Sequence, residues 1–559
     1  MSRRHRLFPF LQWPRPDAGL LRGEALAGLA VGLMVIPQGV AYAALAGMPL
    51  VAGIYASLLP ALVAVLFSAS PRLSVGPTAL TCLLVSASLT PLATPGSAEW
   101  VQLAVWLALL SGLLQVVLGL ARFGWLLNVV NSPVLMAFTQ AAAVLILASQ
   151  VPALTGFRSW QAVAEGAGWH APGLAFGLAA LALLLAARRL RPGFPSVLVL
   201  VLASAGVSRA TGFEAGGGAV IGSLPQGLPA LFVPAWPGWE TLGALMLPTL
   251  MITLVSFLET ASSAKVDNAR RGARWDQDQD LIGQGLAKLV AGFSGAFPTS
   301  SSFSRSALNL YAGAQTGWAT VFSVLVVLLA LVLAMPLLHH VPMAVLAAIV
   351  VVPVLGLLQP AAFRRLWRIS RIEAAIAVTT FAITLLAAPR LYWGVLAGVV
   401  MALSHFLYLR LHPRIIEIGL HPDGSLRDRH LWNLPPLAPD LFALRMDAAL
   451  DFATAPGLER AVAEHLQAHP GMRHVMLIAH PINWIDATGV EAFGRLREQL
   501  DDRRVHLHLV GIKLPVETPL MRAGHLDASE RLHLYRTEGE ALQAMARIEP
   551  AAPPGSAAI

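Results

Sequence analysis

The chain has 559 residues, of which 56% are hydrophobic and 13% are charged, about half the charged share of a soluble domain. This composition excludes a soluble protein and predicts a polytopic membrane protein. The net charge of +8 divides into +12 on residues 1–411 and −4 on residues 412–559. No basic cluster with interleaved aromatic residues occurs, so no nucleic-acid partner is expected. The single cysteine, Cys82, excludes a disulfide framework.

Apolar runs long enough to cross a bilayer recur between Gly23 and Arg410. They predict fourteen spans, at residues 23–46, 50–68, 76–90, 100–120, 126–149, 171–187, 194–208, 241–266, 280–295, 299–312, 318–338, 341–358, 372–388 and 391–409. With a cytoplasmic N-terminus, the internal segments carry nineteen Lys and Arg residues and the external loops three. We therefore expect a cytosolic segment over 1–22 and a transmembrane domain over 23–410, in the cell inner (plasma) membrane with both termini cytoplasmic.

The third and tenth spans are too short to cross a bilayer as helices, and each has a proline near its start. The third begins Ser74-Val75-Gly76-Pro77-Thr78, and the tenth follows Phe297-Pro298. Because proline disfavours helix in the residue before it, each helix is predicted to start inside the bilayer after an extended stretch. Both segments are third in a set of seven, which predicts 7+7 inverted repeats with a binding site at these segments. A chance coincidence among 39 prolines is the alternative.

The C-terminal part alternates strands with helices. Strands are predicted at 441–446, 474–478 and 506–510, with helices at 455–469, at 489–500 and after Pro515. This pattern is typical of a small α/β domain, which we assign to residues 433–548 after a linker over 411–432. The Pro/Ala/Gly-rich residues 549–559 are predicted to be a disordered tail.

The two short spans carry the chemistry of an anion site. If the repeats are inverted, their helix N-termini face each other, and each offers unpaired N–H groups and a positive dipole end. Around the tenth start lie hydroxyl groups and one positive charge, namely Thr299, Ser300, Ser301, Ser302, Ser304 and Arg305. Such donors suit a small oxyanion. The serines alone could serve helix packing, but a charge inside a span indicates function.

Glu259 and Gln38 are further candidates, and a histidine pair bears on metal binding. Glu259 follows the apolar run 245–258, where an ionised carboxylate is costly and could exchange protons; alternatively, the span ends early and Glu259 lies at the cytosolic interface. Gln38 follows a proline in the first span and could contact substrate or a neighbouring helix. His339 and His340 are adjacent, but without other ligands they are predicted to bind no metal.

These segments resemble the sulfate permease family of anion transporters (SulP, also called SLC26), over about residues 17–546. Residues 37–43 with 46–49 resemble the first-span signature of the family, residues 74–78 its third-span entry and residues 303–306 its tenth-span motif. The C-terminal domain resembles the cytosolic STAS domain of these transporters. Its marker is the turn at residues 485–489, in which Ala487 replaces the usual serine.

The resemblance implies a core domain that moves against a gate domain, often in homodimers. It places the anion site at Gln38, Tyr42, Thr78, and Ser304 with Arg305. It associates Glu259 with proton coupling, so that the proton is the coupling ion and no cofactor is needed. Asp486 and Thr488 belong to the STAS turn, where the Thr488 hydroxyl is expected to cap the turn rather than to be phosphorylated.

We therefore expect a secondary active transporter that couples sulfate uptake to protons and binds the anion between the starts of spans three and ten, with Thr299 included in the site. Bicarbonate or a dicarboxylate such as fumarate is the alternative substrate, because the same donors suit any small oxyanion. A membrane anion sensor that signals through the STAS domain to an unknown cytosolic partner is the alternative outside transport. No enzyme is expected, because no nucleophile–base pair, metal cluster or nucleotide loop stands out. Membrane lipid and a second copy of the chain are the other expected partners.

Overall fold

The structure is a computed structural model that describes residues 8–129, 131–157, 160, 170–190, 196–225, 227–272, 274–333 and 335–546. It contains two compact units, residues 1–402 and 403–559, and the first is almost wholly helical. The predicted tail at 549–559 lies outside the described residues.

The α-helices of the first unit, the last of which runs into the second unit, are α1 (Ala18–Leu45), α2 (Ala52–Tyr55), α3 (Leu59–Phe67), α4 (Ala79–Leu89), α5 (Ala98–Leu120), α6 (Ser132–Leu154), α7 (Ala171–Leu190), α8 (Ser196–Ala210), α9 (Trp239–Arg271), α10 (Gln277–Phe293), α11 (Phe303–Tyr311), α12 (Trp318–Leu333), α13 (Met335–Leu338), α14 (Met343–Leu355), α15 (Pro360–Ile369), α16 (Arg371–Leu386) and α17 (Tyr392–Leu411). Two short strands, β1 (Val75–Gly76) and β2 (Ser300–Ser301), precede α4 and α11.

Each of the fourteen predicted spans overlaps a helix or a pair of helices. The second span is divided into α2 and α3. By length and composition, seven helical stretches of the described residues could cross a membrane, and shorter apolar helices occupy several other predicted spans. The helix α15 lies between the twelfth and thirteenth predicted spans and has no buried residue.

The packing partners of the helices repeat when the two halves of the unit are exchanged. α5 packs against α10, and its counterpart α12 packs against α3. In the same way α6 packs against α16, and α14 packs against α7. This is the pattern that two seven-span repeats require, while the opposite orientation of the repeats in the membrane stays a prediction.

Small residues allow the closest helix contacts. A Cβ on Gly28 of α1 would lie 2.5 Å from the carbonyl oxygen of Ala319 on α12. A Cβ on Gly112 of α5 would lie 2.8 Å from the carbonyl oxygen of Gly285 on α10. Because glycine has no side chain, the two backbones of each pair can approach to contact distance.

A buried carboxylate fastens α1 to the start of α12. Glu24 is 1% exposed, and its carboxylate accepts hydrogen bonds from the backbone N–H groups of Gln315, Thr316 and Ala319, each at 2.8 Å. The hydroxyl of Thr316 donates a further bond at 3.1 Å. Gln315 and Thr316 precede α12 and Ala319 lies in its first turn, where N–H groups have no partner within the helix, so Glu24 acts as a cap supplied by another segment of the chain.

The second unit is an α/β domain, as predicted. Its strands are β3 (Ile415–Leu420), β4 (Leu426–Asp428), β5 (Leu441–Met446), β6 (His474–Ile478), β7 (His506–Val510) and β8 (Leu532–Tyr535), and its helices are α18 (Ala455–Ala468), α19 (Ala487–Asp502), α20 (Leu514–Arg522) and α21 (Glu538–Met545). The strand order is β4-β3-β5-β6-β7-β8. The run from β5 to β8 is parallel, and β3 is antiparallel to both of its neighbours.

The prediction of a linker over residues 411–432 is wrong, because this segment supplies β3 and β4 to the sheet. Ile416 and Ile418 of β3 are buried and pack with Ala443 of β5 and Met476 of β6. The β-branched run at 415–418 carried a strand signal, but it lies beside the last predicted span, and its pairing partner β5 is more than twenty residues away in the sequence.

Candidate functional site

The two short helices begin side by side. β1 and β2 pair in antiparallel fashion, with Val75 opposite Ser301 and Gly76 opposite Ser300. Proline precedes each helix start, at Pro77 and at Pro298, and keeps the preceding backbone extended. The pairing holds the N-termini of α4 and α11 together, as the matched proline patterns indicated.

Each helix is capped by a hydroxyl. The side chain of Thr78 accepts a hydrogen bond from the Thr81 N–H, and that of Ser302 accepts one from the Arg305 N–H. The prediction that the tenth helix begins at Thr299 is therefore wrong, because β2 keeps the next two residues extended and α11 starts at Phe303. Ser302 was predicted to be one of the hydroxyl residues of the anion site, but it was not predicted to be the helix cap.

Arg305 lies in the first turn of α11 and is 1% exposed. Its Nη1 donates to the carbonyl oxygen of Pro77 at 2.8 Å, and its Nε donates to the Ser74 hydroxyl at 3.3 Å. Among the described residues, Nη2 has no hydrogen-bond partner. A Cβ on Gly76 would lie 3.2 Å from Nη2, so the glycine leaves that side of the guanidinium uncrowded. The two hydrogen bonds hold the guanidinium in place, and Nη2 stays available as a donor to a ligand.

Other predicted site residues are also buried and have unused polar atoms. Within the described part of the chain, no hydrogen-bond partner is found for Thr299 Oγ1, Ser301 Oγ or Gln38 Oε1. Buried polar atoms of this kind are costly unless something satisfies them. Tyr42 is buried and lies within electrostatic reach of Arg305. Ser304 differs from this group, because it is exposed and contacts only the Ser302 hydroxyl, at 3.3 Å, among the hydrogen bonds found.

Glu259 reaches the start of α4. It lies within the helix α9, which continues to Arg271, so the helix does not end before this carboxylate. Its Oε2 lies 3.0 Å from the Thr78 hydroxyl and 3.3 Å from the Thr81 hydroxyl. A negative charge here interacts favourably with the N-terminus of α4 and uses donors that an anion could otherwise use.

Lys288 is a buried cation inside the ninth predicted span, and no role was predicted for it. It lies on α10, is fully buried, and donates to Gln115 Oε1 at 3.0 Å and to the hydroxyl of Ser256. The backbone oxygen of Ser256 accepts a hydrogen bond from the Ser300 hydroxyl at 3.1 Å, which connects this group to β2. A lysine inside a predicted span was the available signal, because such a charge indicates function.

The STAS turn has a different cap from the one expected. Asp486 is the N-cap of α19, and its carboxylate accepts from the Gly489 N–H at 2.7 Å and from the Phe452 N–H at 3.1 Å. Thr488 is exposed in the first turn of the helix. The expectation that the Thr488 hydroxyl caps the turn is therefore wrong. The carboxylate of Asp486 already accepts from the Gly489 and Phe452 N–H groups.

The pattern that defines the sulfate permease family matches residues 21–380, and that of the STAS domain matches residues 436–541. The chain is 32% identical, over 538 residues, to a probable sulfate transporter of Mycobacterium tuberculosis, covering 94% of this chain and 96% of that protein. It is 29% identical to the chloroplastic sulfate transporter 4.1 of Arabidopsis thaliana, covering 93% and 80%. It is 31% identical to human solute carrier family 26 member 6, covering 80% and 63%. These relatives are transporters, not enzymes.

Solved structures share the fold. The murine Slc26a9 anion transporter in its inward-facing state superimposes with a TM-score of 0.85 at 20% identity, covering 96% of this chain and 94% of that chain. The transmembrane domain of the cyanobacterial bicarbonate transporter BicA superimposes with a TM-score of 0.59 at 18% identity, covering 69% and 98%. At these identities the likeness concerns the fold alone.

Proposed function

Because the chain belongs to the sulfate permease family, a family of membrane anion transporters, we propose that it is a proton-coupled secondary active transporter that takes up sulfate. The observation that carries this proposal is the position of Arg305, a buried cation at the meeting point of two helix N-termini with one donor unused. A small oxyanion is the ligand that such a group of donors favours.

The proposed site lies at the starts of α4 and α11. Arg305 supplies the positive charge, Thr78 and Thr299 supply hydroxyl groups, and Gln38 and Tyr42 approach from α1. Ser304, which is exposed, would line the entry to the site. Sulfate carries four oxygen acceptors, which suit several donors held in fixed positions. The names of the closely similar relatives are the reason for naming sulfate.

The position of Glu259 supports the proposed coupling to protons. Its carboxylate accepts from the hydroxyls of Thr78 and Thr81, the donors at the start of α4. When Glu259 is ionised, it competes with a substrate anion for this helix end and repels it. Protonation removes that charge, so proton and anion binding support each other. Lys288 on α10 contacts Ser256, which lies one turn before Glu259 on α9. The lysine would balance the charge of Glu259 when the site is empty.

The remaining features of the proposal concern the whole transporter. We assign residues 1–22 to the cytosol, 23–410 to the transmembrane anion transport domain and 433–548 to a cytosolic STAS domain. Both termini face the cytoplasm of the inner (plasma) membrane, and the core domain moves against the gate domain to give alternating access in a homodimer.

Uptake of labelled sulfate into proteoliposomes tests the proposed substrate. Purified protein should accumulate sulfate inside vesicles, and unlabelled sulfate should compete better than bicarbonate, fumarate or chloride. If bicarbonate or fumarate competes more strongly than unlabelled sulfate, the proposal that sulfate is the preferred substrate is wrong. Saturable sulfate binding without uptake would contradict transport and support an anion sensor.

A further inference from the structure

A second cluster of polar side chains lies apart from the anion site, where two connections between helices meet. Glu214 follows α8, and His339 and His340 follow α13. The Glu214 Oε2 lies 3.4 Å from Nε2 of His339 and 3.4 Å from Nδ1 of His340. One ligand atom from each of the three residues lies within 4.8 Å of the others.

Backbone hydrogen bonds hold the two connections together. The Gly222 N–H donates to the carbonyl oxygen of His339 at 3.0 Å, and the Ile221 N–H donates to that of Val341 at 3.0 Å. The Met343 N–H donates back to the carbonyl oxygen of Ala219 at 2.9 Å. The segment that carries Glu214 is thus fixed against the segment that carries the histidines, which keeps the three side chains near one another.

The separations fit metal ligands better than they fit hydrogen bonds. A charge-assisted hydrogen bond between an imidazolium and a carboxylate has a length of about 2.7–2.9 Å, which is shorter than either contact. Zn²⁺ binds nitrogen and oxygen ligands at about 2.0–2.2 Å, so two ligands of a tetrahedral ion lie about 3.4 Å apart. Both carboxylate–imidazole distances have this value.

We propose that Glu214, His339 and His340 form a binding site for a divalent transition-metal cation, with Zn²⁺ as the preferred ion. Two imidazoles and one carboxylate are a ligand set that Zn²⁺ favours, whereas Mg²⁺ and Ca²⁺ favour oxygen ligands. The side chains are 47%, 35% and 33% exposed, so water can reach the fourth position. By the predicted topology the site faces the outside of the cell, and it does not depend on the proposed substrate.

No metal was predicted at His339 and His340, because no third ligand lies near them in the sequence. Glu214 belongs to the other half of the transmembrane unit, and the pairing of residues 219–222 with residues 339–343 brings it close. A metal ion would therefore connect the two halves at their surface, and its binding should stabilise the folded protein.

The test compares Zn²⁺ binding by the purified full-length wild type with that of the triple variant E214Q/H339A/H340A, after chelation and dialysis. The wild type should retain one more equivalent of Zn²⁺ per chain than the triple variant, and its unfolding temperature should rise with Zn²⁺ but not with Mg²⁺. E214Q alone should weaken Zn²⁺ binding by at least about 10- to 100-fold. That is the loss seen when a residue that only hydrogen-bonds a metal ligand is removed, and Glu214 is proposed to be a ligand itself.

The comparison is needed because other histidines, including those of β6, β7 and β8, can bind Zn²⁺ in both proteins. H412A removes an exposed histidine at the end of α17 and serves as the matched control, which should retain wild-type stoichiometry. Equal Zn²⁺ stoichiometry in the wild type and the triple variant would overturn the proposal, as would an equal rise in unfolding temperature with Zn²⁺ in both.

Discussion

At the scale of single residues, the proposed anion site depends on how Arg305 is held. Two of its nitrogens donate hydrogen bonds to Pro77 and Ser74, and Nη2 has no hydrogen-bond partner among the described residues. The planar guanidinium can make these contacts at the same time, whereas an ammonium group has a single nitrogen. Arg305 thus supplies a positive charge whose free N–H donors have a fixed orientation.

R305A should weaken sulfate binding by about 1.5–3 kcal/mol, or roughly 10- to 100-fold, the range for hydrogen bonds that involve a charged group. R305K should lie between R305A and the wild type, because it keeps the charge but not the two fixed contacts. Equilibrium binding of labelled sulfate to purified protein measures both variants. R390A, which removes an exposed arginine, is the control, and wild-type affinity in R305A would remove Arg305 from the site.

A group of histidines gives the C-terminal unit a defined response to pH. His474, His506, His508 and His533 lie on one face of the sheet across β6, β7 and β8. Nδ1 of His474 is 3.1 Å from Nε2 of His508, and Nδ1 of His506 is 3.1 Å from Nε2 of His533. Burial, with a smaller contribution from the neighbouring histidines, lowers the pKa of His508 to about 3. The pKa values of His474 and His533 are lowered by burial as well.

Because these pKa values lie below the value of about 6.5 in the unfolded chain, the unfolded state binds protons first as the pH falls. The resulting stability is fully present above about pH 6.5 and declines below it. Hydrogen exchange of β6–β8 in the full chain, corrected for intrinsic rates, should show less protection at pH 5.5 than at pH 7.5. H508Q should reduce this difference, and H412Q should keep it. Equal protection at both pH values in the wild type would contradict the argument.

At the scale of elements, the cap that Glu24 provides is a contact between distant segments. Its carboxylate satisfies three N–H groups at the start of α12. E24A should lower the unfolding temperature clearly, because each buried donor left without a partner costs about 1–3 kcal/mol. E24Q should cost less, since its amide keeps one acceptor oxygen. Thermal unfolding of the purified protein measures the effect, and E240A, which changes an exposed glutamate of α9, is the control. Equal unfolding temperatures for E24A and E240A would show that the cap is dispensable.

The elements also show what the sequence could predict. Spans were found because membrane helices are continuous apolar runs, and the meeting of the short helices followed from the prolines at 77 and 298. The break between α2 and α3 and the cap at Ser302 depend on local backbone geometry, which apolar content does not encode. The strand β3 and the role of Glu24 depend on partners far away in the chain. The same holds for the cluster of Glu214 with the two histidines.

At the scale of the whole molecule, two units have separate cores. The membrane unit repeats its packing between halves, and the C-terminal unit buries both faces of its sheet. The net charge follows this division, because most cations of the membrane unit are predicted to lie in cytosolic loops. Arg305 and Lys288 lie inside predicted spans instead and are buried. Their proposed roles in binding and coupling are what the transport proposal rests on.

The central claim is that Glu259 couples anion binding to a proton. Uptake of labelled sulfate into proteoliposomes, with and without an inward proton gradient, tests it most directly, with E240Q as the control for a glutamate on the same helix. The gradient should increase sulfate uptake by the wild type and by E240Q, while uptake by E259Q should not respond to the gradient. Wild-type uptake that is independent of the gradient, or a wild-type response in E259Q, would contradict the claim.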